Sequence, residues 1–237
     1  MTRILSRGTS NRRLKPGTVA VVGLLFSATI ALAGDVDVTA CNQTVPSGAT
    51  GVLVSDLDCS LSYGTYAVVL SNSAKLRLNG FTIRSDADGI DCLGSCRITG
   101  PGEVARTLPS CDMQSFIDTY GVFAAGTVTL DQVTFTSWGY ATYCGSRLRA
   151  KNVVVTGQCL GLVGNYARVS VRDSTITDNL GLGVGGSGSV TVVGSTVTGN
   201  FVDVSAARRP RVNASTCQSS VGGASPPPDT WDVCSNP

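Results

Sequence analysis

The chain has 237 residues, of which 42% are hydrophobic and only 14% charged, with 28 glycines and no histidine. This length suffices for one sizeable core or one elongated repeat domain, and low charge with many Gly, Val, Thr and Ser favours short strands and tight turns over helices. Without histidine, both a Cys/His zinc site and a histidine-activated nucleophile are excluded.

Residues 1–33 have the pattern of a secretory signal peptide. Five basic residues and no acid precede Thr18, and an apolar run from Thr18 to Ala33 ends in Ala-Leu-Ala. Roughly 16 apolar residues are short for a spanning helix, so we expect cleavage after Ala33 rather than an uncleaved anchor. The predicted location is extracellular, at the cell surface or periplasmic, with no membrane association after cleavage.

Removal of the leader changes the sign of the net charge. The leader holds five of the 18 Lys and Arg residues, so 13 basic residues remain against 16 acidic ones, a net charge of −3. A negative chain has no overall electrostatic attraction for nucleic acid, and no nucleic-acid partner is predicted.

All nine cysteines lie beyond the expected cleavage point, as in chains that mature in an oxidising compartment. Spacing alone does not determine connectivity, and an odd number leaves one thiol unpaired. The candidate disulfides nearest in sequence are Cys41 with Cys59, Cys92 with Cys96, and Cys217 with Cys234.

The middle of the chain repeats with a period of about 21 residues, which is in the range of solenoid coils. Apolar and polar positions coincide in segments 128–136, 148–156, 169–177 and 190–198, and an earlier copy covers 76–83. Alternation within each copy predicts two inward stacks. These are Val128, Leu148, Val169 and Val190, and Phe135, Val155, Ile176 and Val197.

Each repeat contains three short alternating strands separated by Gly, Asn or Asp corners. Because such a strand buries only one face, successive coils must stack about 4.8 Å apart to pair their backbones and close a core. The predicted fold is all-β, a right-handed parallel β-helix. One corner column, expected to be a polar ladder that needs no ligand, comprises Asp86, Trp138, Gln158, Asn179 and Asn200.

The departures from the repeat divide the chain into segments. An N-terminal cap is predicted over 34–60 and the β-helix over 61–216, with an inserted loop at 103–119 that is about ten residues longer than a coil requires. Residues 217–237 are expected to form a disulfide-closed C-terminal cap in which Trp231 folds over the last coil and protects its edge. Capped ends predict a monomer.

The repeats LRLNGFTI, VSVRDSTITDN and VTVVGSTVTGN resemble those of secreted bacterial right-handed β-helix proteins, the pectate-lyase-like superfamily, over about residues 50–216. The resemblance implies the fold. That superfamily includes polysaccharide lyases, polygalacturonase-like hydrolases, esterases and adhesins, so the resemblance does not specify an activity.

Basic residues recur on the outer side of the aligned coils. Stacked like charges repel unless counterions or a ligand offset them, and arginine suits the carboxylate or sulfate groups of an acidic glycan. A solvated face that keeps the sheet soluble is the alternative explanation. The predicted columns are Arg147, Arg168, Ser189 and Arg211, and Asp131, Lys151 and Arg172, with Arg149 beside them.

Two functions are compatible with these residues. The first is non-catalytic binding or structuring of an acidic polysaccharide, without a cofactor. The second, implied by the resemblance, is β-elimination by a polysaccharide lyase, with Arg147, Arg168 or Arg172 as the base. A lyase would also need calcium, for which Asp86, Asp88 and Asp91 are candidate ligands, although D-x-D-G is also an ordinary turn sequence.

Overall fold

The structure is a computed structural model. It describes residues 34–60, 66–107, 111–112, 115–116, 119–222, 231 and 233–234. The predicted signal peptide, residues 1–33, lies outside the described residues. In the described part of the chain there is no helix long and apolar enough to cross a membrane.

The described residues form a parallel β-helix, as predicted, and it has about eight coils. A complete coil has a first, a second and a third strand. The first strands are Asp35–Val38, Thr50–Leu53, Lys75–Arg77, Cys96–Arg106, Thr127–Thr136, Arg147–Lys151, Arg168–Arg172, Val190–Val193 and Arg211–Asn213. The second strands are Leu57–Cys59, Thr82–Ser85, Val154–Thr156, Thr175–Thr177, Thr196–Thr198 and Thr216–Cys217. The third strands are Gln43–Val45, Tyr66–Leu70, Asp88–Cys92, Tyr120–Ala124, Tyr140–Cys144, Leu160–Gly164, Leu182–Gly186, Val202–Ala206 and Ser220–Gly222.

Every strand of the coils pairs in parallel with its equivalent in the neighbouring coil. First and second strands belong to one 15-stranded sheet, because Cys96–Arg106 and Thr127–Thr136 each continue around the corner between them. Third strands form a separate nine-stranded sheet. Both predicted inward stacks are confirmed by the register, which pairs Leu148 with Val169 and Val155 with Ile176, and their members are buried.

Left-handed backbone lies at the corners on both sides of the second strand. A sharp corner of this kind requires positive φ, which Gly, Asn and Asp tolerate better than other residues. This requirement explains why these residue types recur at the corners of the repeat. The positive-φ residues before the second strands include Asn152, Asp173 and Gly194, and those after them include Gly157, Asp178 and Gly199.

The predicted polar ladder is present between the second and third strands from Trp138 to Asn200. Asp86, the first member of the predicted column, does not take part, since its buried Oδ1 has no hydrogen-bond partner. The side-chain oxygen of Gln158 accepts the Trp138 N–H at 2.6 Å, and that of Asn179 accepts the Gln158 N–H at 2.9 Å. Asn200 Oδ1 accepts the Asn179 N–H at 3.1 Å. Each coil therefore satisfies the corner amide of the coil before it, at a place where an unpaired buried amide would be costly.

A second ladder, of serines, lies at the other corner and was not predicted. Ser174 Oγ accepts the Val153 N–H at 3.1 Å, and Ser195 Oγ accepts the Ser174 N–H at 3.2 Å. Each hydroxyl also donates to a carbonyl two residues earlier, for example Ser174 to Arg172 at 2.6 Å. Both hydrogen-bonding capacities of the hydroxyl are thus used within the corner.

Two segments refine the predicted domain boundaries. The cap predicted at 34–60 already contains coil strands, since Asp35–Val38 pairs in parallel with Thr50–Leu53. The insertion leaves the stack only after Arg106, because residues 103–105 still pair with the next coil and Arg106 pairs with Ser85 of the coil before. Within it, Cys111–Asp112 and Ser115–Phe116 pair antiparallel.

The predicted C-terminal cap is closed as expected by the Cys217–Cys234 disulfide. Trp231 Nε1 donates to the Ala206 carbonyl at 3.4 Å, so this side chain lies against the last coils. The other two predicted disulfides, Cys41–Cys59 and Cys92–Cys96, are also confirmed. Cys159 is disulfide-bonded as well, and the free cysteine of the described residues is the buried Cys144.

Candidate functional site

The outer face of the first strands carries the basic residues that the sequence singled out. Arg147 pairs in register with Arg168, and Lys151 pairs with Arg172. Arg149, Lys151, Arg168 and Arg172 are exposed, whereas Arg147 is half-buried. Neighbouring coils lie about 4.8 Å apart, so these like charges face solvent at close spacing.

Arg211 does not belong to the column in which the sequence analysis placed it. The register pairs Arg211 with Thr191, and Thr191 with Ser170. Arg211 therefore lies in the column of Arg149, not in that of Arg147 and Arg168. The predicted position was wrong because the last coil is 20 residues long at this point, and the alignment with Ser189 assumed a longer one.

The same face extends further toward the N-terminus than the sequence indicated. Arg149 pairs with Thr129, Thr129 with Arg97, and Arg97 with Lys75. We call this surface the basic strip. It comprises Lys75, Arg77, Arg97, Arg149, Lys151 and Arg172.

Two shallow depressions lie along the basic strip. The larger, of about 360 Å³, is lined by side chains of Arg97, Arg149, Lys151 and Arg172 together with Asp131. The smaller, of about 250 Å³, is lined by Lys75, Arg77 and again Arg97. Because Arg97 lines both, the two depressions are neighbours on one surface.

Little negative charge compensates the basic strip. Among the described residues the one salt bridge joins Arg77 to Asp35 at 3.1 Å, with both side chains about half exposed. Asp131 pairs in register with Lys151, and its carboxylate accepts a hydrogen bond from Asn152 Nδ2 at 3.1 Å. Thr129 and Ser170 add hydroxyl groups to the larger depression, so the surface combines cations with neutral donors and acceptors.

The acidic candidates Asp86, Asp88 and Asp91 lie elsewhere. Asp88 and Asp91 belong to a third strand, on the nine-stranded sheet, and Asp86 precedes that strand at the corner. Asp88 Oδ1 accepts the Tyr120 N–H at 2.8 Å, and Arg106 Nε donates to the Asp86 carbonyl at 3.3 Å. In the described part of the chain no group of three or more potential ligands is arranged to hold a metal ion.

The structure therefore does not bring the lyase candidates together. Arg147, Arg168 and Arg172 lie on the 15-stranded sheet, whereas Asp88 and Asp91 lie on the other sheet. A base and a calcium ion that act on one uronate would have to share one face.

A cluster of aromatic side chains on the outer face of the third strands was not predicted. Phe123 and Tyr143 stack with parallel rings whose centroids lie 5.8 Å apart. Tyr120 contacts Phe123, Tyr140 and Tyr143 with centroid distances of 5.1 to 5.6 Å. The spacing of Tyr120 and Phe123, repeated 20 residues later by Tyr140 and Tyr143, is the sequence pattern that could have indicated it.

Comparison of the chain with protein-family models, curated proteins and solved structures gave no match.

Proposed function

We propose that the protein is a secreted or surface-associated β-helix that binds or structures an acidic polysaccharide without turnover. The observation that carries this proposal is the basic strip, where exposed Lys and Arg side chains stack in register with a single salt bridge among the described residues. Such repulsion destabilises the sheet unless an anion offsets it. The three disulfides whose pairing is described suit an extracellular chain.

The arrangement favours a polymer over a small anion. The depressions are shallow, and two pairs of cations, Lys75 with Arg97 and Lys151 with Arg172, face each other in register at coil spacings of about 4.8 Å. The two pairs follow one another along the solenoid axis, so several charges on one polymer chain can be contacted together. Arginine forks bind carboxylate and sulfate groups bidentately. The hydroxyls of Thr129 and Ser170 in the larger depression can hydrogen-bond sugar hydroxyls.

The experiment is isothermal titration calorimetry with polygalacturonate, alginate and a sulfated glycan, with neutral dextran as the negative control. We expect binding that weakens steeply as salt rises, because exposed charges are screened. The double variant Arg149→Gln/Arg172→Gln should weaken binding at least tenfold.

The matched control is Arg208→Gln/Arg209→Gln, which removes the same charge from an exposed corner outside the strip. Equal losses in both variants would show that only net charge matters and would contradict the assignment to the strip. Tighter binding to duplex DNA than to every glycan would contradict the ligand class.

The pectate-lyase-like alternative has its own readout. Incubation with uronate polymers and calcium, followed by ultraviolet absorbance, detects unsaturated products of β-elimination. A rise abolished by chelator and by Arg147→Ala, Arg168→Ala or Arg172→Ala would make the protein a lyase and contradict binding without turnover.

A further inference from the structure

The outer face of the third strands differs chemically from the basic strip. Phe123 pairs in register with Tyr143 on one side and with Asp91 on the other. None of the nine described third strands contains a lysine or an arginine. This face therefore joins an aromatic surface to a carboxyl group with no basic residue in the same strands.

Asp91 is the unusual member of this face. Its side chain is 7% exposed, and among the described residues it has no hydrogen-bond or ion-pair partner. Burial raises the pKa of Asp91. A nearly buried carboxylate without a donor is costly, and most such groups in proteins are paired.

The groups around Asp91 do not compensate its charge. Tyr66 pairs in register with Asp88, and its pKa is raised by burial and then by the charges of Asp91 and Asp88. Burial lowers the pKa of Arg106, and the charges of Asp86 and Asp88 offset part of that lowering. Val69 and Phe123 flank Asp91 in register. Among the described residues no cation compensates Asp91, whereas Asp88 has a backbone donor and interacts electrostatically with Arg106.

We propose that the Asp91–Phe123–Tyr143 surface binds a ligand that presents an ammonium group beside an apolar face, as an amino sugar does. The ammonium group would donate to the Asp91 carboxylate, and the apolar face of the sugar ring would lie on the rings of Phe123 and Tyr143. Aromatic faces carry negative charge density that attracts cations and the positive edges of C–H groups. This site is separate from the basic strip, which would repel a cation.

The test uses a matched ligand pair, a glucosamine oligomer and its N-acetylated counterpart, which differ in the ammonium charge. Titration calorimetry at neutral pH should show the glucosamine oligomer binding at least tenfold more tightly. Asp91→Asn keeps the shape but removes the charge, and it should abolish that preference. Phe123→Leu should weaken both ligands.

Two control variants remove an acidic and an aromatic side chain away from the proposed site, to test whether any such loss changes the affinity. Asp37→Asn removes an exposed acid on the first coil, and Phe201→Leu removes an aromatic ring that is 82% exposed; neither should change affinity by more than about twofold. Equal binding of the two oligomers, or an unchanged preference in Asp91→Asn, would overturn the proposal. Binding of acidic polymers by Asp91→Asn reports on the basic strip alone, so either proposal can fail without the other.

Discussion

Asn179 Nδ2 donates a hydrogen bond to Asn200 Oδ1 at 2.7 Å, joining two consecutive coils through their side chains. Asn179 is 1% exposed and also accepts the backbone N–H of Gln158, which is fully buried. One amide side chain thus connects three coils, and its removal would leave a buried donor without a partner.

We therefore expect Asn179→Ala to lower the free energy of unfolding by about 2 kcal/mol, the typical penalty for an unsatisfied buried group. Urea denaturation measures this change. Asn213→Ala, at an exposed position, is the control and should change stability by less than about 0.5 kcal/mol. Similar values for the two variants would show that the ladder does not stabilise the fold.

The second prediction concerns Asp203, which lies at the C-terminal end of the polar ladder. Asp203 is fully buried, and its carboxylate accepts the side-chain amide of Asn200 at 2.8 Å and the backbone N–H groups of Gln218 and Ser219 at 2.7 and 3.1 Å. Asp203→Ala leaves more donors unpaired than Asn179→Ala does. We therefore expect it to lower the free energy of unfolding by more, by about 3 kcal/mol or more.

Asp203→Asn tests the cause of that loss. The asparagine side chain keeps one acceptor oxygen but presents N–H groups to the other donors. The loss of unfolding free energy in Asp203→Asn should therefore be smaller than that in Asp203→Ala but not zero. A loss in Asp203→Ala no larger than in Asn179→Ala, by urea denaturation, would contradict the interpretation of Asp203 as the end of the ladder.

The repeat could be predicted from the sequence because two patterns recur at nearly constant intervals. These are the Gly, Asn or Asp residues at the corners and the alternation of apolar and polar residues along the strands. Asn179 and Asn200 occupy equivalent corners 21 residues apart, and both lie in the ladder as predicted. Asp203 was missed because Phe201-Val202-Asp203-Val204 is like any short strand. Its role depends on Gln218 and Ser219, which belong to the next coil.

The candidate surfaces were less predictable because some of the coils that form them differ in length from the 21-residue repeat. Arg97 lies beside Thr129, 32 residues later, since the insertion lengthens that coil. A 21-residue period cannot align these two positions, so Lys75 and Arg97 were not assigned to the basic surface. The burial of Asp91 is likewise invisible in sequence, where it resembles a turn acid.

The free thiol of Cys144 should be unreactive in the native state. Burial raises its pKa to about 11, so at pH 8 only about one thiol in a thousand is ionised, and the side chain is inaccessible. Iodoacetamide should label Cys144 only after unfolding in urea, as measured by peptide mass spectrometry. Comparable labelling of native and unfolded protein would show that this part of the core opens readily.

Asp91 should give the protein a distinctive pH dependence. Its pKa in the folded state is raised above the ordinary value of 3.8, so the folded state binds this proton more tightly than the unfolded state does. The stabilising contribution of Asp91 is complete below that ordinary value and is lost as pH rises through the raised folded-state pKa.

Because other acids also titrate in this pH range, the informative quantity is the difference in unfolding free energy between the wild type and Asp91→Asn. We expect this difference to move in favour of the variant as pH rises from 3.8 and then to level off. Urea denaturation of both proteins between pH 3 and pH 8 measures it, and a difference that is independent of pH would mean that the Asp91 carboxylate is compensated in the folded state.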